Sequence, residues 1–200
     1  MHFSRAEPSI MPMPISIQSW TVADLDRIPA DGNRYEVLVG VLLVTPAPTP
    51  RHQVIATRLA QVLGRHLDGG RLGQVVAPGA IRSGPSTQLQ PDVLVFPPLP
   101  EVPRRWEGMP AAWLAIEVLS RSSHLYDRNI KRDAYLQLGV REVWLVDPIR
   151  HRILTTGMAG QDHEVTDHLV WTPPGPAPPL EVILVELFEG MAPGWEEEDR

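Results

Sequence analysis

The sequence predicts an α/β fold in which a mixed β-sheet is flanked by helices. Short apolar runs bounded by proline and glycine are typical of buried strands, and one of them is 93–96. In the stretch 51–67 the apolar residues recur at threes and fours, which is typical of an amphipathic helix. The chain has 200 residues, of which 43% are apolar and 21% charged. This is enough for one soluble domain with a sizeable core.

The first third of the chain predicts a helix, a hairpin and a second helix. Thr21 is a candidate N-cap for a short helix over 22–27. Strands at 35–39 and 41–45 form a hairpin about Gly40. The helix at 51–67 then buries an apolar stripe, which consists of Val54, Ile55, Leu59, Val62, Leu63 and Leu67.

The remainder predicts most of the sheet. Strands are expected at 73–77, 80–83, 91–96, 113–119, 143–146 and 152–156. A helix over 127–138 is closed by Gly139, and its buried stripe is Ile130, Ala134 and Leu138, with Lys131 and Tyr135 flanking that stripe. Residues 157–180 are expected to be a loop with one weak strand near Val170, followed by a short helix or strand at 182–187.

Composition bounds the domain organisation and the compartment. We expect a disordered extension at 1–19, one domain over 20–190 and a frayed acidic tail at 191–200. There is no cysteine and no signal-peptide pattern, which fits a cytoplasmic protein, and no apolar run approaches a bilayer span. The net charge of −6 disfavours a general nucleic-acid coat protein. A local basic cleft would need Arg104, Arg105, Arg121, Arg128 and Arg132.

Two acids stand in predicted buried strands. Asp92 opens the run at 93–96, and Glu117 lies inside the run at 113–119. An unpaired carboxylate in a dry interior costs several kcal/mol, so the two acids are expected to meet and share a cation. Hard oxygen ligands suit Mg²⁺ or Mn²⁺. Without the cation, repulsion between the two acids should raise the pKa of one of them.

Lys131 is the only lysine, whereas the other seventeen of the eighteen basic residues are arginine. A lysine kept in such a background suggests a task that arginine cannot perform. Its compact ammonium enters small pockets and donates in several directions. Chance is the alternative explanation, since a single lysine has to stand somewhere.

Other polar residues have alternative interpretations. Glu36 is either a site residue or the solvent face of a hairpin, and His52 is either a site residue or a hydrogen-bonding residue at a helix start. Asp147 before Pro148 indicates turn chemistry. Tyr135 is expected in the core. No G-x-S-x-G element is present, and two histidines are expected at the surface, His163 and His168.

Several short motifs follow one another along the chain. They are Tyr35-Glu36-Val37-Leu38-Val39-Gly40, His52-Gln53, Pro91-Asp92, Ile116-Glu117-Val118-Leu119-Ser120, Lys131, Tyr135, Gly139-Val140 and Val143-Trp144-Leu145-Val146-Asp147-Pro148. In this order and spacing they resemble the Uma2 family of restriction endonucleases. The similarity runs over about residues 20–190, and through Asp92, Glu117 and Lys131 it extends to the PD-(D/E)XK nuclease superfamily. The superfamily lysine follows its acid by two positions, where this chain has Leu119, and the resemblance implies that Lys131 on the next helix takes its place.

The resemblance implies a restriction-endonuclease-like core and metal-assisted hydrolysis of DNA. It implies that Asp92, Glu117 and the Val118 carbonyl bind Mg²⁺ or Mn²⁺, with Lys131 beside the attacking water and Glu36 and His52 nearby. The expected partner is DNA, with no membrane and with a homodimer as one candidate assembly. Two alternatives stay open: a binding or regulatory protein that kept the fold and lost turnover, and a metal-dependent hydrolase of another phosphoester.

Overall fold

The structure is a computed structural model that describes residues 19–67, 71–120 and 130–192. The helices are α1 (Val22–Leu25), α2 (Pro50–Leu67), α3 (Arg132–Gln137) and α4 (Leu184–Leu187), with a 3-10 turn at Trp106–Gly108. The strands are β1 (Arg34–Leu38), β2 (Val41–Thr45), β3 (Gln74–Val76), β4 (Ile81–Arg82), β5 (Gln88–Leu89), β6 (Val93–Phe96), β7 (Leu114–Val118), β8 (Glu142–Asp147), β9 (Arg152–Gly157), β10 (Asp162–Val165), β11 (His168–Trp171) and β12 (Leu180–Ile183).

The largest sheet is mixed and has six strands in the order β10-β9-β8-β7-β6-β3. Strands β7 and β8 pair in parallel, and the other neighbours pair antiparallel. Val118 is aligned with Val146, so the carboxyl ends of β7 and β8 lie at the same edge. Because β6 is antiparallel to β7, it begins at that edge too. The predicted α/β class with a mixed sheet is confirmed.

A second sheet, of four strands in the order β2-β1-β5-β4, carries the predicted hairpin. Strands β1 and β2 are joined by Val39 and Gly40, whose φ angles are 49° and 80°. Positive φ at both central residues is the type I′ geometry that matches the twist of a hairpin. The turn sets the register in which Glu36 lies opposite Leu43.

Apolar side chains cover both faces of the six-stranded sheet. On one face Ile55, Leu59 and Leu63 of α2 pack against Ile116 and other buried residues of the sheet. On the other face Tyr135 of α3 packs in a second cluster with residues of the four-stranded sheet. Each fully buried aliphatic side chain contributes about 1.5–3 kcal/mol to the stability of the fold. Because side chains alternate between the two faces of a strand, Ile116 of β7 points toward α2 and Glu117 points toward α3.

The structure corrects part of the buried stripe predicted for α3. Ala134 is buried as predicted, but Ile130 is 44% exposed and Leu138 is half-buried, whereas Lys131 and Tyr135 are 2% and 0% exposed. Lys131 and Tyr135 thus face inward, because both of them contact the carboxylate of Glu117. Gly139 has φ 89° and ends the helix as predicted.

The remaining differences between the predicted and the observed elements are small. Val54 of α2 is 43% exposed and does not belong to the buried stripe. Strands β5 and β10 were not predicted, and residues 180–187 form both a strand and a helix. Several expectations concern residues outside those described: the extension at 1–18, the helix end at 68–70, the start of the 127–138 helix, and the end of the tail at 193–200.

Candidate active site

The first feature of the site is the contact between the start of β6 and the end of β7. The Asp92 N–H donates to the Ile116 carbonyl at 3.0 Å. The Val118 N–H donates to Asp92 Oδ2 at 2.9 Å. Glu117 lies between these two contacts on β7. Asp92 and Glu117 are both buried, as their places in apolar runs predicted.

Asp92 is paired with basic side chains from two other elements. Arg34 of β1 donates through Nη1 to Asp92 Oδ1 at 3.0 Å, and His52 Nε2 of α2 lies 3.0 Å from Asp92 Oδ2. Burial raises the pKa of this carboxyl. The His52 hydrogen bond and charge, the Arg34 charge and the Val118 N–H together outweigh burial and hold the pKa below its ordinary value. Asp92 is thus not an acid of raised pKa, because basic side chains of the protein accompany its carboxylate. The expectation that repulsion raises the pKa of one of the two acids stays a prediction.

Lys131 joins the two other acids. Its Nζ lies 2.6 Å from Glu36 Oε2 and 3.2 Å from Glu117 Oε1. The Tyr135 hydroxyl donates to the same Glu117 oxygen. Glu36 is fixed on its other side, where Oε1 accepts the Gln90 N–H at 2.6 Å. The four-stranded sheet, the six-stranded sheet and the segment before α3 therefore meet at one buried ammonium.

Arg34 is a site residue that the sequence analysis missed. It stands two positions before Glu36 on β1, so the two side chains share a face of the strand. Burial lowers the pKa of its guanidinium, but the charges of Asp92, Glu117 and Glu36 outweigh burial and raise it. This same-face spacing beside a candidate acid was the signal that could have identified Arg34.

The structure brings all five predicted site side chains into one network: Glu36, His52, Asp92, Glu117 and Lys131. Their roles stay predictions. Val118 takes part through its N–H. Three carboxylates face the cations Arg34 and Lys131, which leaves a formal charge of −1 when His52 is neutral. Burying these charges is tolerable only because they are paired.

The proposed basic cleft finds less support. Arg132 is bound to Asp162 at 2.8 Å and to Asp133 at 2.8 Å. Arg104 and Arg105 are exposed. Arg121 and Arg128 lie outside the described residues.

Three further residues behave as polar surface or turn groups. Asp147 accepts the N–H groups of Ile149 and Arg150, which confirms turn chemistry. His163 and His168 are exposed, as predicted. Tyr135 is buried as expected for a core residue, and it also bonds Glu117.

The donor chemistry of the cluster fits a hard divalent cation. Asp92 and Glu117 supply carboxylate oxygens, the ligands that Mg²⁺ and Mn²⁺ prefer. Among the described residues no group of three or more acidic or histidine side chains is arranged so that it could hold a metal ion. Arg34 and His52 contact Asp92 at the distances given above, and Lys131 contacts Glu117. A cation would therefore compete with these protein donors for the same oxygens.

A cavity of about 460 Å³ opens beside Asp92. Arg34 lines it at the same end, and one face of α2 forms its longest wall. The cavity thus reaches the cluster at Asp92 and Arg34, whereas Glu117 and Lys131 are not among the residues that line it.

Known proteins share this architecture. The family model described as "Uma2: Putative restriction endonuclease" matches residues 22–185. A crystal structure described as "a putative nuclease belonging to DUF820", from Anabaena variabilis ATCC 29413, matches with a TM-score of 0.69 at 18% identity, over 84% of this chain and 97% of that chain. At that identity the likeness shows the fold. No curated protein matches the chain. Among the described residues no helix is long and apolar enough to cross a bilayer.

Proposed function

The chain belongs to the Uma2 family, whose model matches residues 22–185, and from this membership we propose that it is a divalent-metal-dependent endonuclease that hydrolyses DNA phosphodiester bonds. One observation carries the proposal beyond family membership. The Nζ of the buried Lys131 lies 3.2 Å from Glu117 Oε1. Glu117 belongs to β7, and the next residue of that strand, Val118, donates its N–H to the Asp92 carboxylate. Two acids that can hold a cation and an ammonium that can stabilise developing negative charge are groups that metal-assisted phosphodiester hydrolysis uses.

Asp92, Glu117 and the Val118 carbonyl would hold Mg²⁺ or Mn²⁺. When bound, the cation would lower the pKa of water and neutralise negative charge on the phosphate. Arg34 and His52 fix the Asp92 carboxylate, and Tyr135 fixes the Glu117 carboxylate. We assign these three residues to positioning.

Lys131 would donate hydrogen bonds to the phosphate or to the attacking water as negative charge develops. Glu36 Oε2 and Glu117 Oε1 hold its Nζ from two sides. A fixed ammonium of this kind stabilises charge without reorganisation during the reaction. Glu36 positions Lys131 through this contact.

A second candidate is a nuclease-fold protein that binds nucleic acid without cleaving it. The observation in its favour is the pairing of Asp92 with Arg34 and His52, which stabilises the cluster in the absence of metal. DNA as the substrate and the dependence of cleavage on metal are parts of this proposal. The homodimeric assembly stays a prediction.

The test is nicking of supercoiled plasmid and cleavage of single-stranded circular DNA with Mg²⁺, with Mn²⁺ and with EDTA. The wild type and a Glu181→Gln control, altered at an exposed acid of β12, should cleave with metal and stop with EDTA. Glu117→Gln should reduce cleavage by about 100-fold or more, as expected for a group that acts in the transition state. No cleavage of either DNA by the wild type favours the binding protein, and equal cleavage by Glu117→Gln refutes the site.

A further inference from the structure

The cavity beside Asp92 has a floor made by small residues of α2. Ala56, Ala60 and Gly64 recur every four residues and therefore lie in one row on the helix. Their short side chains bring the lining close to the helix backbone. Pro78 lines the cavity from the segment after β3. The floor thus offers an apolar surface for a flat or ring-shaped group.

The rim of the cavity is polar. Gln53, Thr57 and Gln61 form a second row on α2 at the same spacing, and all three are exposed. Carboxamides both donate and accept hydrogen bonds, so they can bind base edges as well as phosphate oxygens. Arg65 continues this row and adds a cation.

Cations stand at both ends of the row. Arg34 is beside Asp92, which contacts His52 in the first turn of α2. Gln53 and Arg65 are separated along the helix by about 18 Å. Arg34 makes its bonds to Gln90 and Asp92 through Nη1, while its Nη2 and Nε groups have no hydrogen bond to another residue in the described part of the chain. These donors suit phosphate oxygens.

The volume of the cavity limits what can enter it. Its lining residues on α2 extend over about 18 Å of the helix, so a volume of about 460 Å³ is spread over an elongated and narrow space. The major groove of B-DNA alone is about 12 Å wide, and the duplex itself is wider still. A paired duplex does not fit this space. One strand does fit, with its sugars and bases on the small-residue floor and its phosphates near Arg34 and Arg65.

We propose that this cavity is the channel for an unpaired substrate strand, so that the enzyme acts on single-stranded DNA or on duplex that is locally open. The inference rests on the proposed function and adds the substrate class. A strand that follows the polar row reaches the Asp92 end of the cavity, where its next phosphate would meet Arg34 and Asp92. The overall charge of −6 fits a protein that binds phosphate in a confined channel rather than over its surface.

The test is binding of a labelled oligonucleotide in Ca²⁺, measured by anisotropy. The probes are the single strand, the same sequence fully paired, and a duplex with an unpaired flap. The single strand and the flap should bind at least about tenfold more tightly than the paired duplex. Arg65→Glu should weaken single-strand binding about tenfold and reduce the slope of log affinity against log salt by about one.

Two variants complete the design. Ala60→Phe fills the floor and should abolish the preference for unpaired DNA. Arg141→Glu is the matched charge reversal: it is exposed and lies just before β8, at the opposite edge of the sheet from Glu117, so it should bind like the wild type. Folding of each variant is checked by circular dichroism, and Arg65→Glu alone decides if Ala60→Phe does not fold.

Equal binding of paired and unpaired DNA would overturn this inference, as would an Arg65→Glu variant that matches Arg141→Glu. The proposed function fails separately, when the wild type cleaves neither plasmid nor single-stranded circles with metal. Cleavage of paired plasmid without preference for unpaired DNA would remove the channel and leave the nuclease in place.

Discussion

Lys131 Nζ lies 2.6 Å from Glu36 Oε2, and both side chains are almost fully buried. This contact ties the segment before α3 to the four-stranded sheet, and the additional contact with Glu117 ties it to the six-stranded sheet. Removing one partner from a buried ion pair leaves an uncompensated charge. The ammonium is therefore structural as well as a proposed catalytic group.

Lys131→Met should destabilise the metal-free protein by about 3–5 kcal/mol at neutral pH, because Glu36 and Glu117 lose their shared cation. Arg27→Met is the control. The Arg27 side chain is 77% exposed and pairs with Asp24, which is itself partly exposed, so its loss should cost far less than the loss of Lys131. Urea unfolding measures both values. Similar losses in the two variants would show that the buried pair contributes no more than a surface pair.

Arg34→Met should have opposite effects with and without metal. Without metal it should lower the melting temperature, because Asp92 loses a partner at 3.0 Å. With Mn²⁺ the variant should gain more stability than the wild type, since a protein cation no longer competes for Asp92 Oδ1. Thermal unfolding with Mn²⁺ and with EDTA measures the shift, and Arg141→Met is the control.

Asp92→Asn should lose most of the Mn²⁺-dependent shift and should also be less stable than the wild type in EDTA. The second effect follows from the lowered pKa of Asp92, whose ionised form is stabilised by His52 and Arg34. Equal Mn²⁺ shifts in the wild type, Arg34→Met and Asp92→Asn would place the metal elsewhere.

Glu142→Gln should stabilise the protein at about pH 7. Burial raises the pKa of the Glu142 carboxyl, although hydrogen bonds from Trp144 and Trp171 lower it in part. Because the folded-state pKa is raised, ionised Glu142 reduces stability as the pH rises through that value. The gain should be up to about 1 kcal/mol, since solvent screens the carboxylate, and it should vanish near pH 4. Urea unfolding at both pH values tests it, and a gain that persists in acid would contradict the electrostatic cause.

Val39→Asn should stabilise the hairpin by about 1 kcal/mol. Val39 has φ 49° and is 77% exposed, and a β-branched residue at positive φ is strained. Asparagine followed by Gly40 is the preferred pair for a type I′ turn. The exposed strand residue Val44 provides the control Val44→Asn. An unchanged or lower melting temperature for Val39→Asn would show that the turn is not strained.

The sequence predicted the elements whose signal is local. The period of α2 and the apolar runs of β6, β7 and β8 depend on neighbouring residues. The polar edge strand β10, over Asp162–Val165, lacks such a run. Its pairing with β9 is set by tertiary structure.

The sequence predicted most of the residues that belong to the site, but not which carboxylate contacts which basic side chain. Asp92 and Glu117 stood out as acids in apolar runs, and Lys131 stood out by composition. Of the predicted stripe only Ala134 is buried, and Lys131 was not expected inside. The partner that holds Lys131 inside is Glu36, which lies on a different sheet. Which cation accompanies which carboxylate depends on contacts that no local pattern records.

The most direct test of the central claim is nicking of supercoiled plasmid in Mn²⁺ by Lys131→Arg beside the wild type. A guanidinium keeps the charge but is larger and planar. It cannot reproduce the contacts of the Lys131 Nζ with Glu36 at 2.6 Å and with Glu117 at 3.2 Å, because the Lys131 side chain is only 2% exposed and leaves no room for a larger group. We predict a folded variant whose cleavage falls by about 100-fold or more. A folded Lys131→Arg that nicks plasmid at the wild-type rate would contradict the account.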